Sequence, residues 1–174
     1  IKSTGIVYQE SGLTISGNVT IRGEDGSVNI ESKTGGQIFI VTGTATIEDL
    51  TLSGAKTTGF GGAIFVNGGS LTVNRVTFDT NEAGSGGAIA ATNGANLNVA
   101  DSLFASNNAT SGGAIYIDTV GDVSITGSTF AENTGNGAIY IKTADAELSK
   151  NDLSDEEFIF VESGSVKTIL TFIG

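Results

Sequence analysis

The sequence predicts an all-β chain wound into a right-handed parallel β-helix, a single-stranded solenoid of about five or six rungs with three short strands in each. Three observations carry this. Gly61-Gly62-Ala63-Ile64, Leu71-Thr72-Val73 and Phe78-Asp79-Thr80-Asn81 are spelled again as Gly86-Gly87-Ala88-Ile89, Leu97-Asn98-Val99 and Phe104-Ala105-Ser106-Asn107. A third copy reads Gly112-Gly113-Ala114-Ile115, Val123-Ser124-Ile125 and Phe130-Ala131-Glu132-Asn133. Second, aliphatic residues fall at equal steps of 26 residues, as in Ile21, Ile47, Val73, Val99 and Ile125, or Val19, Ala45, Leu71, Leu97 and Val123. Third, apolar and polar residues alternate around those positions, the mark of half-buried strands, and no helical period intervenes.

Strands that recur without helices between them cannot lie parallel through helical crossovers, but they can if the chain coils and lays each strand on the last. Each rung then holds a Gly-Gly-Ala-Ile strand, a Leu-x-Val strand and a short strand ending at a Phe. Rungs about 4.8 Å apart make a rod roughly 25–30 Å long. Right-handed coiling is the general preference of parallel connections.

The whole of 1–174 is expected to be one domain. Residues 1–15 contain Ile6, Val7, Tyr8, Leu13 and Ile15 without the full repeat, and read as an N-terminal rung or cap. Residues 16–142 are the repeat rungs. Their first copy is worn: Gly35-Gly36-Gln37-Ile38, Ala45-Thr46-Ile47 and Leu50-Thr51-Leu52. On this reading the Gly-Gly strands align Ile38, Ile64, Ile89, Ile115 and Ile139, with steps of 26, 25, 26 and 24. After Ile141 the register fails, so 143–174 is expected to be an irregular C-terminal cap or the start of a next module.

The glycines allow positive φ or close backbone approach at the corner where each strand begins, and the following Ile fills the interior. Phe78, Phe104 and Phe130, with Leu52 before them, are expected to stack inside the coil. Asn81, Asn107 and Asn133 are expected to form an amide ladder at the next turn. If Ile64 and Val66 point inward, Phe65 points outward, and the same logic puts Phe39, Ala90, Tyr116 and Tyr140 in one exterior column. Such a column would stack on sugar rings or meet a protein partner, unless a long turn or terminal segment covers it.

Charges also fall in register. Asp49, Arg75 and Asp101 lie 26 residues apart and would stack acid on base on acid, as would Arg22 and Glu48. Two rungs separate Asp49 from Asp101 by about 9.6 Å, just beyond the roughly 6.5–9.5 Å of an inverting glycosidase pair. A guanidinium between them would keep both ionised, which leaves no acid for a leaving group and favours a surface ion ladder.

Composition excludes other classes. The net charge is −11, with only 8 Lys and Arg, against binding a nucleic-acid backbone. No His and no Cys remove the Ser-His triad, the zinc site and the disulfide framework. Glu24-Asp25 and Asp155-Glu156-Glu157 lack the ligand spacing of a calcium loop and read as solvated turns. Asn18-Val19-Thr20 and Asn108-Ala109-Thr110 match the glycosylation acceptor pattern. No cofactor and no metal are called for. An apolar run long enough to span a bilayer is missing, so no membrane insertion by this segment is expected. Without a Met or a signal-like start, the chain reads as a piece of a longer protein.

The alternation of Gly-Gly-Ala-Ile with Phe-x-x-Asn across roughly residues 35 to 141 resembles the repeats of chlamydial polymorphic outer-membrane proteins and related adhesin-like surface proteins. The resemblance implies a β-helical passenger domain, exported to a cell surface and used in adhesion to a protein receptor or glycan. The reading that follows is a secreted or cell-surface, non-enzymatic display segment binding through its side walls. Two alternatives stay open: a carbohydrate-active β-helix enzyme of the polysaccharide lyase or hydrolase kind, and a passive structural spacer of a larger surface protein.

Overall fold

The structure, a computed structural model, describes residues 6–24, 28–118, 121–153 and 158–169. They form strands and turns with no helix among them, and every strand pairing is parallel. The chain coils as a β-solenoid, and corresponding strands of successive rungs hydrogen-bond to one another.

Three faces run along the coil. On the Phe face, Leu50–Ser53, Thr77–Asp79, Leu103–Ala105 and Thr129–Ala131 stack in a seven-stranded sheet. On the Ile face lie Phe39–Val41, Ile64–Asn67, Ile89–Thr92 and Ile115–Asp118. On the Val face lie Thr44–Glu48, Ser70–Asn74, Asn96–Ala100 and Val123–Thr126. Ile139–Ser149 continues through a corner without a break, pairing with Ile115–Asp118 along its first half and Val123–Thr126 along its second. The Ile and Val faces thereby count as one 13-stranded sheet. Beyond the three expected strands per rung, Glu82–Ser85, Asn108–Ser111 and Thr134–Asn136 add a short fourth face.

The terminal segments also join the stack. Ile6–Glu10 pairs with Val28–Ser32, and Leu13–Ile15 with Phe39–Val41. At the other end Ile159–Val161 and Gly164–Ile169 both pair with Ile139–Ser149. Residue-to-residue spacing shortens there, which hides the period from the sequence while leaving the ladder intact. Residues 154–157, including Asp155-Glu156-Glu157, and Asp25 of Glu24-Asp25 lie outside the described residues.

The interior is a set of like-on-like columns. Leu52, Phe78, Phe104 and Phe130 pair in register and are fully buried. The rings of Phe78 and Phe104 lie 4.7 Å apart and 6° from parallel, and those of Phe104 and Phe130 are 4.8 Å and 3°. Ring separation here equals rung separation, so the stack follows from the backbone ladder. Each buried ring contributes about 1.5–3 kcal/mol of transfer free energy, with about 0.5–1.5 kcal/mol per aromatic pair in addition.

Asn81 and Asn107 are 1% and 0% exposed, and their amides are paired along the rod. Asn107 Oδ1 accepts from both Asn81 N and Asn81 Nδ2 at 3.0 Å. Asn107 Nδ2 donates to Phe78 O at 3.0 Å and to Asn133 Oδ1 at 2.9 Å. Asn81 Oδ1 takes Ala55 N at 3.1 Å, and Asn133 Nδ2 reaches Phe104 O at 2.9 Å. A second buried column went unread in the sequence: Val76 N donates to Ser102 Oγ, Ser102 N to Ser128 Oγ, and Ser128 N to Asn151 Oδ1.

Corners follow their own columns. Gly61, Gly86, Gly112 and Gly137 have φ near +60° to +76° at the corner before the Ile face. A methyl on the next residue, Gly87, would overlap the carbonyl oxygen of Gly113 in the rung beyond, so two glycines serve two needs. Asp49, Arg75 and Asp101 occupy an equivalent left-handed column with φ of 57°, 53° and 47°. A non-glycine residue there costs about 1–2 kcal/mol, a strain that the bonds of the adjoining rungs offset.

Replacing Asn107 with Leu should strand Asn81 N and one of the two N–H groups of Asn81 Nδ2, whose other bond goes to Leu52 O, in the interior. An unsatisfied buried group costs about 1–3 kcal/mol, so the urea midpoint should fall by the equivalent of about 3 kcal/mol or more. An unchanged midpoint would show that the ladder contributes nothing.

Candidate functional site

The alternation of each Ile-face strand puts one side chain outward between two inward aliphatics. Ile64 and Val66 are fully buried and Phe65 faces out; Ile115 and Ile117 are buried around Tyr116, and Ile139 and Ile141 around Tyr140. Backbone register then places Ile40, Phe65, Ala90, Tyr116, Tyr140 and Phe160 in one exterior column.

Phe39 does not belong to it. It pairs with Ile64, is 2% exposed and fills the interior, while Ile40 takes the outward place opposite Phe65. The worn first copy is displaced by one residue. Ile38 N and Phe39 N share the carbonyl of Ala63, just as Ala63 N and Ile64 N share that of Ala88. Ile38 thus corresponds to Ala63 and Phe39 to Ile64, and a slip of one residue turns a strand's side chains over.

Two rings that the sequence reading missed complete the column. Phe160 stacks on Tyr140 with centroids 4.8 Å apart, and Tyr140 on Tyr116 at 5.6 Å. Its signal was present, since Ile159-Phe160-Val161 repeats the aliphatic-aromatic-aliphatic pattern of Ile115-Tyr116-Ile117. Phe60 arrives from the preceding corner and sits 5.6 Å from Phe65 and 5.7 Å from Tyr116, over the place where Ala90 leaves no ring. Ala90 is accordingly 0% exposed and Tyr116 only 6%, while Phe60 is 41% exposed. The wall is a continuous ridge of five rings, roofed by one residue of its own chain at the Ala90 level.

Polar groups border the ridge. Asn67, Thr92 and Asp118 stand in register two residues along the same strands. Lys142 Nζ donates to Asp118 Oδ2 at 3.1 Å, which raises the lysine pKa, and Tyr140 Oη donates to Glu162 Oε2 at 2.8 Å. Burial raises the Tyr116 phenol, with the charge of Asp118 adding to it; the bond to Glu162 raises that of Tyr140, with burial second.

At the left-handed corner, Arg75 grips Asp49 with two bonds, Nε to Oδ1 at 2.6 Å and Nη2 to Oδ2 at 2.9 Å. Arg22 pairs with Glu48 at 2.5 Å and reaches Asp49 at 4.0 Å. The hydrogen bond from Arg75 holds the Asp49 carboxyl below its ordinary range. Asp101 takes no part in the grip: its carboxylate leans over Gly127, where a methyl would meet it. No group of three or more Asp and Glu is placed to hold a metal among the described residues.

Two titrations check these environments. Because the folded pKa of Asp49 is depressed, its pairing contributes stability above the ordinary value of 3.8 and loses it as pH falls through the lower folded value. Asp49→Asn should therefore flatten the acid limb of thermal stability between about pH 5 and pH 2. At alkaline pH, tyrosinate absorbance should show Tyr140 ionising above the ordinary 10.0, and Glu162→Gln should move it back down.

No curated protein and no solved structure matches the chain. A family model does, and it falls on one well-formed rung, across the buried Phe104 and Asn107 and the Gly112-Gly113 corner. Residues 101–118 match the repeat of the Chlamydia polymorphic membrane protein (Chlamydia_PMP) family.

Proposed function

We propose that the chain is a non-enzymatic, surface-displayed passenger segment that binds a receptor or glycan on another surface through the outer wall of its Ile face. The observation that carries this is the ridge Phe65, Phe60, Tyr116, Tyr140 and Phe160. The interior is filled by Phe39, Phe78, Phe104, Phe130 and the aliphatic columns, so these five rings form a separate layer outside it, with Phe60 the most exposed and Tyr116 covered. Contiguous outward apolar surface bordered by polar groups is the usual sign of an interaction site. The family match supports display on a cell surface, since that repeat is named for membrane proteins.

Catalysis by Asp49 and Asp101 gains no support from the geometry. Arg75 clamps the Asp49 carboxylate in its ionised form, and the Asp101 carboxylate lies over Gly127, close enough for its charge to act on Arg75. The ridge favours a binding segment over a passive spacer, which has no use for an outward aromatic wall.

Fluorescently labelled rod should bind intact host-type cells and a subset of an immobilised glycan and receptor array. The triple variant Phe60→Ser, Phe65→Ser and Tyr140→Ser should lose at least about 90% of that signal, the scale expected when aromatic anchors are removed, with native circular dichroism retained. Undiminished binding would remove the ridge as the contact surface.

A further inference from the structure

We infer that the far end of the outer wall, Tyr140 and Phe160 with Glu162 beside them, seats a basic side chain of a protein partner, its aliphatic stem on the ring edges and its cationic head on the carboxylate. The inference rests on the surface-binding reading and names the partner chemistry at one part of that surface.

The way the rings stack decides what they meet. Tyr140 lies between Tyr116 at 5.6 Å and Phe160 at 4.8 Å, with interplanar angles of 19° and 22°. Both faces of the Tyr140 ring are therefore covered by other rings, and what it turns outward is an edge. Stacking on a sugar, or a cation held over the ring centroid, needs a face. An edge offers apolar contact to an aliphatic chain, and the stem of Lys or Arg is such a chain with a charge at its tip.

Glu162 supplies the place for that charge. It follows Phe160 by two residues, about 6.6–6.8 Å along an extended backbone, a span that an extended Lys or Arg side chain covers. Its backbone N donates to Ile141 O at 2.8 Å, which continues the ladder and fixes the origin of the side chain beside the rings. Tyr140 Oη donates to Glu162 Oε2 at 2.8 Å and draws the carboxylate against the wall.

The carboxylate has no salt bridge among the described residues. Arg22 and Arg75 are taken by Glu48 and Asp49, and Lys56 by Glu82. Lys142 is near enough for its charge to be felt at Glu162, yet its ammonium bonds Asp118 at 3.1 Å. Those two neutralise each other and leave Glu162 as the net charge bordering this end of the ridge. With 19 acidic and 8 basic residues, the whole chain adds a negative field that draws a cationic partner and repels sulfated or sialylated glycans. Apolar edges beside one uncompensated carboxylate thus match a protein surface that carries Lys or Arg among aliphatic side chains.

The test uses a capped pentapeptide of alternating leucine and arginine, its analogue with glutamine for arginine, methyl glucoside and a sulfated oligosaccharide, each titrated by protein-observed NMR. The basic peptide should bind about tenfold more tightly than its glutamine analogue, the scale of one charge-assisted hydrogen bond, and shift the resonances of Tyr140, Phe160 and Glu162. Glu162→Gln should remove that tenfold and leave the glutamine analogue unchanged, while Glu132→Gln, the same change of charge on a Phe-face turn, should alter neither. Equal binding of the two peptides, a loss in Glu162→Gln no larger than in Glu132→Gln, shifts confined to other faces, or tighter binding of either saccharide overturns the inference. Such a result, with cell binding still lost in the Phe60/Phe65/Tyr140 variant, removes the basic partner and leaves the surface-binding reading standing; cell binding retained in that variant removes the reading itself.

Discussion

Every rung of this molecule bonds its backbone to the next in parallel register, and that one constraint governs the rest. A residue has the same column neighbours above and below, about 4.8 Å away, so whatever stands at a position must tolerate a copy of itself. Aliphatics and phenylalanines meet this condition by dispersion and ring stacking. Asparagine meets it as a donor and an acceptor at once, which is why Asn81 and Asn107 can lie in the interior, with half-buried Asn133 continuing the ladder and the amides bonded to one another and to the turns. A lone buried amide of this kind would be a liability; a ladder of them turns the repeat into a register lock.

Charge obeys the same rule with the opposite result, since like charges cannot stack. The corner column accordingly alternates, and Arg75 binds Asp49 through both nitrogens of a fork that matches the carboxylate. The pair is exposed, so its main effect is to hold the corner in place. Asp49 is bonded to Arg75 and the Asp101 carboxylate lies over Gly127, so the charges of this corner lie against the turns.

The wall illustrates how a repeat acquires a specific feature. An unbroken ring at each rung would stack shut and offer only edges. Ala90 breaks the series, and Phe60 repairs the break from a different element with its ring exposed.

Most of the fold was legible because a solenoid writes its contacts at a constant offset. The 26-residue step made the Phe, Asn, Leu and Val columns readable wherever the motif was fully spelled, and the alternation around Ile64, Ile115 and Ile139 located the outward wall. Where the spelling thinned, reading failed for physical reasons. Gly35-Gly36-Gln37-Ile38 offered two alignments one residue apart, and a strand shifted by one turns its side chains to the other face; the shared carbonyl of Ala63 decided for Phe39 inward and Ile40 outward. The Ser102, Ser128 and Asn151 column was hidden because its members differ in kind, and the last rungs because their corners shorten. Period and residue chemistry by themselves determined that the chain coils and what fills it. Only the tertiary structure decided that Phe60 lies over Ala90, because corner length and side-chain direction at a turn follow no period and depend on the space the neighbouring rungs leave.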